Sequence, residues 1–242
     1  MNKKNFSLNK NQNFEYVLDQ GVFAPTATTN FLINAVLSYC NVDTNYESVL
    51  DLGCGSGIVG LILSKKLDIK KIYASDFSIP AIENTKKNFK YHQISGNIRY
   101  GSLLDPWKNE KFDLIVNDIS GISSIVAKLS PWFKDVPCES GEDGTDLTIK
   151  VLNKVNDHLK PGGLLFFPII SFSNVKKIEA FAKEKFTDIK LISSNSWPFP
   201  SELKIPQNIL EDLHKKNFIT YEEKFGIKLA FTNIYLVKKN DY

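Results

Sequence analysis

The chain has 242 residues, 43% of them hydrophobic, which is enough to bury one full core and short for two ordinary domains. Its formal net charge of +3 is carried almost entirely by lysine, with Arg99 the only arginine, so the guanidinium forks that usually read phosphate and guanine are missing and a nucleic-acid partner is not expected. No apolar run reaches the roughly 20 residues of a membrane span, and Met1–Asn13 lacks the apolar segment of a signal peptide, which excludes a membrane partner and predicts a cytoplasmic protein.

Residues 1 to about 26 are polar without a sustained period and read as a leader. Thr28–Cys40 carries apolar residues at helical spacing. From Ser48 the pattern alternates: strand 48–52, helix 57–66, strand 71–75, helix 79–91, strand 97–100 and strand 112–117. A helix is predicted over 121–129, a glycine- and acid-rich loop over 137–144, and a helix over Thr145–Leu159 stopped by Lys160-Pro161-Gly162-Gly163. Strand Leu164–Ile170, helix Val175–Lys185 and strand Asp188–Ser193 follow. A segment rich in proline and aromatics, Trp197–Gly226, precedes a last strand, Ala230–Val237. Alternation of this kind argues for an α/β fold, a parallel sheet with helices on both faces. Residues 1–45 are expected to form a leader and helix over the cofactor site, and 46–242 the main domain, with 194–229 inserted before the last strand.

The strongest chemical signal is Asp51-Leu52-Gly53-Cys54-Gly55-Ser56-Gly57, where a strand runs through alternate glycines into a helix. Glycines permit positive φ and close backbone approach, and the helix start offers unpaired N–H groups to an anion. Gly55-x-Gly57-x-x-Gly60 also fits a dinucleotide loop, with Asp76 19 positions after Gly57, so the glycines alone leave a nicotinamide-dependent oxidoreductase open. The carboxylate of Asp51, the motifs downstream and the lack of a second domain favour S-adenosyl-L-methionine. Asp76 closes its strand on the edge where open α/β sheets bind ligands and can accept both ribose hydroxyls. Phe77, Ser102, Leu103 and Trp107 stand where an adenine would lie. Asn117 and Asp118 end the fourth strand, where Asn117 would hold a methyl acceptor through its amide and Asp118 would either orient it or take a proton.

Several of these segments together resemble the class I methyltransferases, specifically the branch of release-factor glutamine and adenine-N6 methyltransferases. Phe23-Ala24-Pro25-Thr26-Ala27-Thr28-Thr29 is similar to its Phe-x-Pro segment, Val49–Gly57 to its glycine motif, and Ser75-Asp76 to its ribose acid. Gly141-Glu142-Asp143-Gly144 is similar to a stretch of the glutamine methyltransferases, and Leu159–Gly163 to a turn common to the superfamily. The resemblance implies a Rossmann-like seven-stranded sheet of order 3-2-1-4-5-7-6 with the last strand antiparallel. It implies S-adenosyl-L-methionine as cofactor, bound by Phe23, Thr28, Asp51, Gly53, Cys54, Gly55, Gly57, Asp76, Phe77, Ser102, Leu103 and Asn117, with Asn117 and Asp118 catalytic.

The branch carries Asn-Pro-Pro-Tyr where this chain has Asn117-Asp118-Ile119-Ser120, and fewer than 50 residues precede the glycine motif, leaving no room for a helical docking domain. These departures predict methyl transfer to an oxygen or nitrogen of a small molecule, with a protein glutamine or nucleic-acid base as the alternative and a silent cofactor-binding module as a further one. Ser120, Glu142, Asp143 and Trp197 are candidate acceptor walls. Cys40, Cys54 and Cys138 are odd in number and form no C-x-x-C pair, and no His, Cys or carboxylate cluster has ligand spacing, so neither disulfide nor metal is expected. His92 and His158 fall at the opposite edge of the sheet from the cofactor.

Overall fold

The computed structural model describes residues 2–133, 136, 138 and 140–239, so positions 137 and 139 of the predicted acid-rich loop lie outside the described residues. The chain opens on a hairpin, β1 (Lys3–Asn9) and β2 (Gln12–Val17), where a leader without sustained period was expected. The reason lies in short alternation: Phe6 and Leu8 on β1 and Tyr16 on β2 are buried, in one cluster with Leu32, Ile33 and Val36 of α1 (Ala27–Tyr39). The hairpin thereby covers the helix that shields one face of the sheet.

The sheet is built from β3 (Val49–Leu52), β4 (Ile72–Asp76), β5 (Gly96–Tyr100), β6 (Phe112–Asn117), β7 (Leu159–Ile170), β8 (Ile189–Pro198) and β10 (Ile227–Lys238), with the short β9 (Glu222–Lys224) added beside β10. Their spatial order is β5-β4-β3-β6-β7-β10-β8, the order implied by the resemblance, and β10 runs antiparallel to both its long neighbours. Strands β3, β4, β5, β6 and β7 pair in parallel. Helices α2 (Ile58–Lys66) and α3 (Ile79–Tyr91) link the first parallel strands. They are followed by a short α4 (Ser124–Leu129), then α5 (Asp146–His158), α6 (Val175–Lys185) and α7 (Gln207–Lys215).

Two faces of core result from strand alternation. Val49, Ile72, Ala74, Leu114 and Val116 point toward α1 and α2, whereas Leu50, Leu52, Tyr73, Ile115 and Leu165 point toward α5 and α6. The predicted stop at Lys160–Gly163 is instead a bulge within β7: Phe112 pairs with Leu159 and Leu114 with Leu164, and Gly162 takes φ +71° to absorb the extra residues. The 194–229 segment extends the β8–β10 ladder as far as Leu229 against Pro198, then adds α7 and β9 around a third apolar cluster of Phe172, Leu203, Leu210, Leu213 and Ile219.

Candidate active site

The carboxyl ends of β3, β4 and β6 meet the glycine loop at one edge of the sheet. Gly53 and Cys54 each donate a backbone N–H to Ser75 O, at 2.9 and 3.0 Å, which ties the loop to β4. Gly53 has φ +78°, and a Cβ there would lie 2.6 Å from Cγ2 of Ile119, so neither the backbone angle nor the space admits a side chain. Above Gly55 the space is open, the nearest atom to a built Cβ being Phe23 O at 3.9 Å. From behind, α3 fixes the loop: Thr85 Oγ1 donates to Gly55 O at 3.0 Å and Asn88 Nδ2 to Ser56 O at 2.8 Å.

Three carboxylates surround the loop. Asp51 is fully buried, accepts from Gly60 N at 2.9 Å through Oδ2, and leaves Oδ1 without a partner among the described residues. Burial pushes its carboxyl up to about 7, opposed by the Gly60 bond and reinforced by Asp118 and Asp76. Asp76 accepts from Gly55 N at 3.0 Å and from Ser78 N at 2.9 Å, one bond per oxygen, and burial raises it above the ordinary carboxylate range against those bonds. Asp118 is pushed up to about 7 by burial and accepts the Thr29 hydroxyl at 2.8 Å.

Over this floor lies a cavity of about 470 Å³. Of the predicted cofactor residues, Phe23, Thr28, Gly53, Cys54, Gly55, Asp76, Phe77, Ser102 and Leu103 line it. Asp51 and Gly57 lie beneath the lining rather than in it. Among the predicted acceptor residues, Asp118, Ser120 and Trp197 line the cavity. Ser120 Oγ sits 2.9 Å from Cys138 Sγ and accepts from Ser140 Oγ at 3.0 Å.

Four expected contributors are elsewhere. Asn117 is buried outside the lining, with its Oδ1 accepting Ile119 N at 3.4 Å, because it alternates with Val116 and Asp118 and so faces the other side of the sheet. Trp107 is fully buried, and its indole N–H donates to Ser75 Oγ at 2.9 Å, so it packs the core instead of an adenine. Asp143 is engaged by Lys177 Nζ at 2.7 Å and by the Thr145 hydroxyl at 2.7 Å before α5. Glu142 beside it is exposed and does not reach the cavity.

The structure adds residues that the sequence reading passed over. Thr29 joins Asp118 to the first turn of α1. Trp132, Phe133 and Phe172 bring aromatic rings to the far wall, and Glu202 brings a carboxylate to the same lining. Phe23 packs on Phe133 with centroids 4.9 Å apart, and Trp132 on Phe172 at 6.5 Å. Thr26-x-x-Thr29 at the head of a helical pattern is the one signal that could have pointed to Thr29, since the two hydroxyls and backbone N–H groups form a reciprocal cap. Among the described residues no group of three or more His, Cys, Asp or Glu side chains could hold a metal ion, and no helix is long and apolar enough to cross a membrane.

The residues present suit a cationic, ribose-bearing cofactor. An open cradle above Gly55, a buried carboxylate oxygen lacking a partner on Asp51, and an Asp76 with accepting capacity left at the strand end are the fitting features. Comparison with known proteins agrees. The methyltransferase small domain family matches residues 13–118. The release factor glutamine methyltransferase of Clostridium acetobutylicum is 31% identical over 181 residues, covering 69% of this chain and 63% of that protein. The ribosomal protein uL3 glutamine methyltransferase of Francisella tularensis is 28% identical over 162 residues, 64% of this chain and 52% of that protein. The chain thus spans less than two thirds of the length of these curated relatives. In fold it resembles a T. thermophilus 16S rRNA N2 G1207 methyltransferase solved with AdoMet and guanosine, with a TM-score of 0.65 and 14% identity over 99% of this chain and 51% of that one. A ribosomal protein L11 methylase from Lactobacillus delbrueckii gives 0.56 at 18% identity, over 92% and 84%. The sequence matches and the strand order converge: residues 13–118 belong to the methyltransferase small domain family, and the chain carries the fold of the class I S-adenosylmethionine-dependent methyltransferases.

Proposed function

We propose that this chain transfers a methyl group from S-adenosylmethionine to a side-chain amide nitrogen of a protein. The observation that carries the reading is the chemistry of the cavity beyond Asp118. Its far wall is Ile122, Trp132, Phe133, Phe172, Trp197 and Pro200, and its charged lining residues are Asp76, Asp118 and Glu202, all acidic, with no Lys, Arg or His among the described lining residues. Nucleic acid would bring phosphates to such a mouth, and phosphates are held by cations. Aromatic faces instead pack a flat, neutral group. The curated relatives described above are named for glutamine acceptors, which supports a protein amide over the small-molecule acceptor anticipated from the lost Pro-Pro-Tyr residues.

The cofactor supplies a methyl group already activated on a sulfonium sulfur. Phe23, Thr28, Gly53, Cys54, Gly55, Phe77, Ser102 and Leu103 hold it, and Asp76 takes the ribose hydroxyls. Residues 1–45 act as cover over the body formed by 46–242, and the 194–229 segment contributes Trp197, Pro200 and Glu202 to the acceptor wall. With the methyl donor bound, the Asp118 carboxylate would take the proton that the acceptor nitrogen gives up on methylation. A carboxyl near neutrality is suited to that exchange. Alignment of nitrogen, carbon and sulfur contributes the larger share, about 7 to 11 kcal/mol in well-oriented systems.

The test supplies the protein with methyl-labelled S-adenosylmethionine and, separately, the total protein, total RNA and metabolite fractions of a bacterial extract. Label should enter the protein fraction and map by peptide mass spectrometry to glutamine. Label confined to RNA or metabolites would overturn the reading.

A further inference from the structure

We infer that Thr29 is a positioning residue for Asp118: its hydroxyl aims the carboxylate at the cavity floor and favours its proton-accepting form. The inference rests on the reading of Asp118 as proton acceptor and adds the device that makes it one.

Strand alternation directs Asp118 to the same side as Asp51 at the end of β3 and Asp76 at the end of β4, so the charged groups on the neighbouring strands are two further carboxylates. Helix α1, packed from above, holds no Asp, Glu, Lys, Arg or His anywhere in Ala27–Tyr39. Glu202 is the remaining charged residue among the described lining residues. Among the described lining residues, no cation stands near such a carboxylate to hold it ionised. What it receives is one short charge-assisted bond, Thr29 Oγ1 to Asp118 Oδ2 at 2.8 Å, between residues 89 apart in sequence. A second favourable influence comes from the first turn of α1, whose positive dipole end lies toward the carboxylate.

Thr29 is itself held. It is 3% exposed, and its hydroxyl oxygen accepts the Thr26 N–H at 3.3 Å while the Thr26 side chain accepts the Thr28 N–H at 3.2 Å. The hydroxyl proton points at Asp118, because an ionised carboxylate can only accept, while the hydroxyl oxygen accepts from the helix cap. A floating serine or threonine would donate in either direction. This one donates to the carboxylate, and it does so from the segment 21–29 that covers the cavity, so the position of the cover and the state of Asp118 are coupled. Because the hydroxyl donates to the carboxylate and binds its ionised form more strongly than its protonated form, loss of the hydroxyl favours protonation.

The experiment uses the full chain labelled with ¹³C at the aspartate carboxyl, the Asp118 signal being the one absent from Asp118→Asn. Three proteins are titrated by NMR: wild type, Thr29→Val and Thr29→Ser. Removing one charge-assisted bond should raise the Asp118 midpoint by roughly one pH unit in Thr29→Val, and Thr29→Ser should restore it. The acid limb of turnover, read with methyl-labelled cofactor and extract protein, should move by the same amount and be rescued in the same variant. A role in capping alone would lower the melting temperature of Thr29→Val and leave the midpoint where it is in wild type. That result overturns the inference. If instead Asp118→Asn turns over like wild type, the proton-acceptor reading fails and the inference with it, even where the titration moves.

Discussion

Asp76 holds the glycine loop in place, and on the proposed reading the same side chain also takes the ribose. One oxygen holds Gly55 N and the other Ser78 N, which leaves each with one further accepting position toward the cavity. Two charge-assisted bonds to vicinal hydroxyls, at about 1.5 to 3 kcal/mol each before correction for lost solvation, predict that Asp76→Ala binds S-adenosylmethionine on the order of a hundredfold more weakly. Titration calorimetry against S-adenosylmethionine checks this, and an unchanged affinity would remove Asp76 from the ribose site. This residue was legible in the sequence because a strand end followed by an acid is a local pattern. Asp118 was legible for the same reason. Asn117, next to it, was misplaced because the parity of a strand decides which face a side chain takes, and parity shows only when the whole strand is registered against its neighbours. Val49, Asp51, Val116 and Asp118 share one face. Leu50, Leu52, Ile115 and Asn117 share the other.

At the scale of elements, helix α3 joins parts of the fold that sequence reading kept separate. Asn84 and Asn88, one turn apart and fully buried, both donate to Val17 O, at 2.8 and 2.9 Å, while Val17 N donates to Asn88 Oδ1 at 2.7 Å. Asn88 also reaches Ser56 O in the glycine loop at 2.8 Å. The same carboxamide therefore ends the amino-terminal hairpin and backs the cofactor loop. Asn88→Ala would leave Val17 N and Ser56 O buried and unpaired, at about 1 to 3 kcal/mol for each group left unsatisfied. A fall in urea midpoint of that size is expected, together with weaker S-adenosylmethionine binding than stability alone explains. A stable variant with wild-type affinity would show the loop to be indifferent to α3. The hairpin itself was hidden because its alternation spans only Phe6, Leu8 and Tyr16 among lysines and asparagines, and a two-stranded unit of that size is marginal without the helices it covers. The β8–β10 extension was hidden for a related reason. Prolines at 198 and 200 suggested a break, yet Pro198 occupies the last position of β8, where the ladder tolerates it.

The molecule as a whole concentrates unusual acids on one face of one sheet, and its response to pH follows from them. Asp51 and Asp118 are raised to about 7 and Asp76 is raised as well, each chiefly by burial. A carboxyl raised in the folded state contributes stability that is fully present below its unfolded value near 4 and is lost as pH rises through the folded value. Asp113 and Asp143, lowered by Lys160 and Lys177 together with their hydroxyl and backbone partners, contribute stability above that range and lose it only on further acidification. His92, lowered chiefly by burial, acts in the opposite direction, as a single group against three acids. Between about pH 5 and 8 the acids therefore dominate, and the cofactor-free chain should melt several degrees higher at pH 5.5 than at pH 8. A positive sulfonium favours the ionised carboxylates, so S-adenosylmethionine should raise the melting temperature more at pH 8 than at pH 5.5. S-adenosylhomocysteine, neutral at sulfur, should show a weaker version of that trend. Differential scanning calorimetry with the two ligands at both pH values separates the outcomes. A thermal shift independent of pH for both would mean that the three carboxylates do not feel the cofactor's charge, and the electrostatic account of the site would fall.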